Sequence, residues 1–184
     1  MRILGISGSL RRESYNTKLL HAVGELLPPD VEFELFGELE AVPPYNEDRD
    51  TDEAPLGAAV LRAAIADADA VVFATPEYNA SIPGQLKNAV DWASRPFRSG
   101  ALWGKPVVVI GASSGMYGAV WAQAELRKAL ATAGARVADA EVAVGRAQTR
   151  FDDEGHLTDD EVRDALREAL GAVLAEAAPR LVAA

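Results

Sequence analysis

Three short segments, residues 3–6, 70–74 and 107–111, are almost wholly apolar, and each runs into a stretch with the three-to-four-residue apolar spacing of a helix. A strand without polar side chains needs cover on both faces, and that is the condition of a parallel sheet wrapped by helices. Residues 31–36 differ: Glu32 and Glu34 alternate with apolar neighbours, the pattern of a strand at a sheet edge. A further apolar run covers 137–144. Helical patterns fall at 16–27, 55–67, 84–95, 118–133 and 159–177. The chain therefore reads as alternating strands and helices, and five strands predict an α/β three-layer sandwich with the parallel order 2-1-3-4-5, the flavodoxin-like arrangement.

Local punctuation agrees with these limits. Pro28 and Pro29 close the first helix, Gly134 suits the C-terminal cap of the fourth, and Thr158 to Glu161 reads as a capping box opening the last. Residues 37–55, rich in acid and proline, predict an exposed connection, and 152–155 a turn. Neither a repeat nor a low-complexity segment divides the chain, so one domain is expected over residues 1–184.

Composition narrows the chemistry. With 184 residues, 49 % of them hydrophobic, the chain has enough apolar surface for a core without disulfides or structural metal. A net charge of −10 and a pI near 4.7 oppose non-specific nucleic-acid binding and attraction to anionic membranes. The absence of cysteine removes disulfides, thiolate catalysis, iron–sulfur ligation and cysteine-based zinc sites, so redox chemistry would belong to a cofactor. With no secretory hydrophobic segment and no run near the ~20 apolar residues that span a bilayer, a soluble cytoplasmic protein is the expectation. Two isolated histidines make no metal site, and His21, on a helical face with Lys18 and Glu25, is expected to face solvent.

In open sheets of this kind ligands bind beyond the carboxyl ends of the strands. Three loops start there, at Ser7, Thr75 and Ala112. The first carries Ser9, Arg11, Ser14 and Thr17 into a helix start, where unpaired amides, hydroxyls and a guanidinium converge on a phosphate. It lacks the Gly-Lys-Ser/Thr of a P-loop and the third glycine of a dinucleotide fingerprint; Ser14 also fits a plain N-cap. In the second, two prolines and a glycine restrain the backbone so that its amides can meet the edge of a flat ligand.

The motifs Gly8-Ser9-Leu10-Arg11-x-x-Ser14-x-Asn16, Pro76-Glu77-Tyr78-Asn79 and the run 81–92, which contains Pro83-Gly84-x-Leu86-Lys87-Asn88-Ala89-x-Asp91-Trp92, occur in order at the expected strand ends. Together they resemble the NAD(P)H-dependent FMN reductase family, which includes quinone, azo-dye and chromate reductases, over nearly the whole domain. The resemblance implies that Ser9, Arg11, Ser14, Asn16 and Thr17 hold the phosphate of FMN, that Pro76, Glu77, Tyr78 and Asn79 cradle its ring, and that Ser113, Ser114 and Gly115 close the other side. It implies NADPH or NADH as reductant, a small-molecule oxidant such as a quinone, azo compound, metal oxyanion or free flavin, and a homodimer or homotetramer. The third loop departs from the family habit of a Gly-Gly pair before the helix, having Gly118-Ala119 after Met116-Tyr117. Trp92 and Trp103 are core aromatics or the lining of a partner's pocket, and residues 47–53 are a solvated loop with room for a lid over the flavin.

Two other readings compete. Gly111-Ala112-Ser113-Ser114-Gly115 matches the Gly-x-Ser-x-Gly elbow of serine hydrolases, followed in order by Asp139 and His156. A one-electron flavodoxin-type carrier would share the fold, although its phosphate loop is built without arginine.

Overall fold

In the computed structural model, which describes residues 1–178, the elements alternate as β1 (Arg2–Ser7), α1 (Tyr15–Leu26), β2 (Glu32–Phe36), α2 (Leu56–Asp67), β3 (Ala70–Thr75), α3 (Gly84–Ala93), β4 (Pro106–Ala112), α4 (Val120–Thr132), β5 (Arg136–Val137), β6 (Val142–Val144) and α5 (Asp160–Ala177). All strand pairs are parallel and the order is β2-β1-β3-β4-β5. Side chains on successive strand positions point to opposite faces, so two cores form. Leu4, Ile6, Val71, Phe73, Val107 and Val109 meet α2, α3 and α4, while Ile3, Val72, Val108 and Ile110 meet α1 and α5. β3 and β4 are buried at every position, whereas β2 buries only Phe36.

The last strand corrects the expectation of one run over 137–144. β5 pairs with Pro106 and Val107, β6 pairs with Ile110, Gly111 and Ala112, and the chain leaves the ladder between them. Asp139 and Glu141 stand in that interruption, and Arg127 of α4 holds it outward by donating to Ala140 O and Glu141 at 3.3 Å. Charged side chains cannot be buried beside β4 without partners, so the edge breaks there.

Caps follow the sequence with one shift. Gly134, at φ +89°, lets Ala135 N bond Leu130 O at 3.0 Å, and a β-carbon there would lie 2.2 Å from the Trp103 ring. At α5 the capping side chain is Asp159, accepting from Val162 N at 3.0 Å, rather than Thr158. Thr158 is instead drawn onto Arg150 O through its backbone amide at 2.9 Å.

The acidic connection is a fixed strap. Leu39 and Val42 are buried, Gln85 of α3 donates to both their carbonyls, and Asn88 and Trp92 donate to Pro43 O at 2.7 and 2.8 Å. Arg62 of α2 then binds Asp50 at 2.7 Å while lying over the Trp92 ring. Trp92 is fully buried, which settles it as a core aromatic; Trp103 is half exposed.

Candidate functional site

The first loop is set between β1 and α1 by bonds on both sides. Gly8 N donates to Ala74 O at 2.8 Å, so the loop leaves the sheet alongside β3. Ser14, 2 % exposed, then caps α1, its Oγ accepting from Thr17 N at 3.3 Å. The N–H groups of Tyr15 and Asn16 precede any intrahelical acceptor and point out of the helix end. Beside them Arg11 is exposed, and its guanidinium has no ion-pair or hydrogen-bond partner among the described residues. A helix start with spare donors and a free cation attracts a dianion.

Two residues expected at the phosphate brace the loop from beneath. Thr17 Oγ1 donates to Ser7 Oγ at 2.9 Å. Asn16, 3 % exposed, spends its amide on the end of β4, donating to Ala112 O at 3.0 Å and accepting from Ala112 N at 2.9 Å. What Asn16 offers the cavity is its backbone amide, while its side chain ties the first loop to the third.

The second loop is a two-residue hairpin. Tyr78 and Ser81 exchange backbone bonds at 3.0 and 3.1 Å, with Asn79 and Ala80 both left-handed at φ 54° and 58°. This turn aims Pro76 and Tyr78 back across the strand ends and carries Asn79 away to solvent. Glu77 reaches sideways. Its carboxylate accepts from Trp121 N at 3.1 Å and Ala122 N at 3.2 Å, capping α4, whose own N-cap residue Ala119 offers no side-chain acceptor. Loops two and three are thereby joined by an anion on a helix N-terminus.

In the third loop Gly118 and Ala119 are both left-handed, at φ 58° and 64°, which is the backbone a Gly-Gly pair would favour. A side chain at 118 would meet Ala143 carbonyl carbon at 2.3 Å, so glycine is required there, whereas the buried Ala119 is tolerated. Ser113 Oγ accepts from Gly115 N at 2.9 Å, and Gly115 O accepts from Arg146 N at 2.8 Å. Tyr117 stands outside, edge-on to Trp121 with centroids 5.2 Å apart.

Ser9, Arg11, Ser14 and Asn16 from the first loop, Pro76, Glu77 and Tyr78 from the second, and Ser113 and Ser114 from the third line one cavity, whose enclosed part measures about 100 Å³. Thr17, Asn79 and Gly115 lie outside that lining. Tyr15 and Ala112, which the sequence did not single out as binding residues, belong to it; Ala112 was legible only as the start of the third loop, and Tyr15 only as the neighbour of Ser14. Against this geometry, the sequence matches the family model of NADPH-dependent FMN reductase over residues 1–149.

The chain belongs to the NADPH-dependent FMN reductase family.

Relatives agree over nearly full length. An NAD(P)H-dependent FMN reductase of Pseudomonas aeruginosa is 42 % identical over 94 % of this chain and 93 % of its own. A 2-hydroxy-1,4-benzoquinone reductase of a Burkholderia species is 39 % identical over 91 % of each. The solved structure of a flavoenzyme NAD(P)H:(acceptor) oxidoreductase from Paracoccus denitrificans superposes with a TM-score of 0.79 at 36 % identity, covering 96 % of this chain and 94 % of that one. Membership in the FMN reductase family leaves the hydrolase reading without support, and geometry removes its triad: Ser113 lines the cavity above, whereas His156 pairs with Asp152 at 3.3 Å in a different one.

Proposed function

We propose that this chain is an oxidoreductase that holds FMN between its first and second loops and passes electrons from NADPH or NADH to a small oxidant in two successive hydride transfers. The observation that carries the reading is the convergence of a free Arg11, the α1 amides and the Ser9 and Ser14 hydroxyls on one side of a cavity whose other side is the rigid Pro76–Tyr78 turn. That donor set suits a phosphate monoester. An enclosed volume of about 100 Å³ is far below the roughly 300–1,000 Å³ of a pocket that swallows a whole ligand. It suits the phosphate end alone and leaves a tricyclic ring at the open mouth.

When bound, FMN supplies the hydride-accepting and hydride-donating chemistry. The residues of the chain bind and orient. Pro76 and Tyr78 give the ring a flat wall, Glu77 fixes that wall to α4, and the Asn16 tie to Ala112 holds Ser113 and Ser114 opposite it. With Pro76 and Tyr78 walling one side only, reduced nicotinamide and oxidant would have the same open mouth to use in turn, and proximity would supply the entropic part of the rate. Such a face discriminates weakly, so quinones, azo compounds, metal oxyanions and free flavins are all within reach; the names of the Pseudomonas and Burkholderia relatives support flavin and benzoquinone acceptors.

No helix among the described residues is long and apolar enough to cross a membrane, and the acidic, cysteine-free composition suits a cytoplasmic enzyme. Self-association belongs to the same proposal. A groove of about 560 Å³ between α3 and α4, lined by Ile82, Val90, Ala129 and a Phe97 that is 67 % exposed together with the charged Lys87, Asp91, Arg95, Glu125 and Lys128, offers a second copy apolar contact and ion-pair partners in one place. Light scattering should give at least the dimer mass; a monomer at micromolar concentration would contradict that part. The function itself is tested by adding NADH or NADPH anaerobically to the purified protein. Its yellow absorption should bleach and return on adding benzoquinone, and a preparation that neither binds FMN nor bleaches would refute the assignment.

A further inference from the structure

Exposed apolar surface gathers beside the mouth of the cofactor cavity. Tyr78 of the second loop, Met116 and Tyr117 of the third, and Trp121 in the first turn of α4 are each between 48 % and 64 % exposed. Tyr78 lines the cavity, and the chain that carries Tyr117 leaves the lining three residues earlier, at Ser114. Several large apolar side chains left in water next to a ligand site mark contact surface for a ligand.

Two hydrogen bonds fix where Trp121 stands. The Glu77 carboxylate, itself part of the cavity lining, accepts from the Trp121 amide at 3.1 Å, and one helical turn further along α4 Glu125 accepts from the Ser81 hydroxyl. Positions four apart share a helical face, so the face that bears Trp121 and Glu125 meets the Tyr78–Ser81 hairpin. Tyr117 packs edge-on against Trp121 from the third loop, with ring centroids 5.2 Å apart. Tyr78, Trp121 and Tyr117 thus form an aromatic arc that runs from the second loop to the third, beyond the enclosed part of the cavity that suits the phosphate.

The arc carries no positive charge. Residues 76–81 and 113–125 contain no lysine or arginine but do contain Glu77 and Glu125, and Arg146 meets the third loop through its backbone amide, bonded to Gly115 O at 2.8 Å. A metal oxyanion approaching along the arc meets two carboxylates and no guanidinium. A neutral flat ring instead meets aromatic edges and faces, and its contact grows with the number of fused rings.

We propose that Tyr117 and Trp121 are specificity-determining residues, which favour neutral aromatic oxidants in proportion to their flat area and disfavour metal oxyanions. The proposal rests on the flavin reading above and sharpens it: the open mouth admits many oxidants, and the arc ranks them. Trp121 caps against Glu77 through its amide alone, so truncating its ring leaves that join in place.

Steady-state reduction of 1,4-naphthoquinone, 1,4-benzoquinone and chromate by the FMN-loaded protein tests it, in the wild type and in Trp121→Ala, Tyr117→Ala and Trp121→Phe, with circular dichroism to check the fold. Equilibrium dialysis of each quinone against the oxidised protein adds a readout free of turnover. Wild type should take naphthoquinone at least about tenfold better than chromate in kcat/KM. Each alanine variant should lower kcat/KM for naphthoquinone, and raise its dissociation constant, about fivefold, while benzoquinone changes less than about twofold and Trp121→Phe stays within about twofold of wild type. Equal losses on the two quinones overturn the proposal, and so does chromate reduced as readily as naphthoquinone. A changed light-scattering mass for Trp121→Ala also overturns it and assigns the arc to contact between copies. A wild type that binds no FMN, or whose FMN neither NADH nor NADPH bleaches, instead brings down the flavin reading beneath it.

Discussion

At the scale of single residues, the site is a division between groups that stay free and groups that are spent on structure. Arg11 stays free, and Arg11→Ala should weaken FMN binding by about 1.5–3 kcal/mol, roughly ten- to hundredfold in the dissociation constant by fluorescence titration. An unchanged constant would place the phosphate elsewhere. Asn16, Thr17 and Glu77 are spent: the motif that contains them was legible, but their partners Ala112, Ser7 and the α4 amides are not local in sequence. Ala80 shows local strain of another kind. An exposed alanine at φ 58° adopts a backbone that glycine takes without steric cost, so Ala80→Gly should raise stability by about 0.5–1 kcal/mol in thermal denaturation. A loss of stability would mean that the turn is not left-handed at that position.

At the scale of elements, the doubly covered strands were readable because burial on both faces leaves no room for polar side chains, and β2 because its exposed positions alternate. The break between β5 and β6 was hidden, since the residues around it still alternate apolar and polar; what ends the ladder is Arg127, which approaches from α4. The strap over 39–50 was hidden for the same reason: its acidity and prolines signal a loop, while the donors that fix it, Gln85, Asn88, Trp92 and Arg62, belong to α3 and α2. The join between α1 and β4 can be broken selectively. Asn16→Ala removes two buried hydrogen bonds and leaves both backbone groups of Ala112 unpaired, so unfolding free energy should fall by about 2–4 kcal/mol in a denaturant titration. A loss below about 1 kcal/mol would show that Ala112 finds other partners.

For the whole molecule, a sheet of order β2-β1-β3-β4-β5 brings the ends of β1, β3 and β4 side by side, and this adjacency turns three loops spread over more than a hundred residues into one cavity. The absence of cysteine already removed thiol chemistry, and a net charge of −10 opposed non-specific nucleic-acid binding. The first two loops pointed to a phosphate and a flat ligand, FMN itself came from the resemblance of the three motifs, and family membership bears that resemblance out. The central claim is that the first loop and the Pro76–Tyr78 turn hold opposite ends of one FMN molecule. A crystal structure of the protein grown with FMN tests this most directly. Electron density should place the phosphate among Ser9, Arg11 and the α1 N-terminus, with the ring against Pro76 and Tyr78. Density for FMN at any other place on the chain would contradict the account.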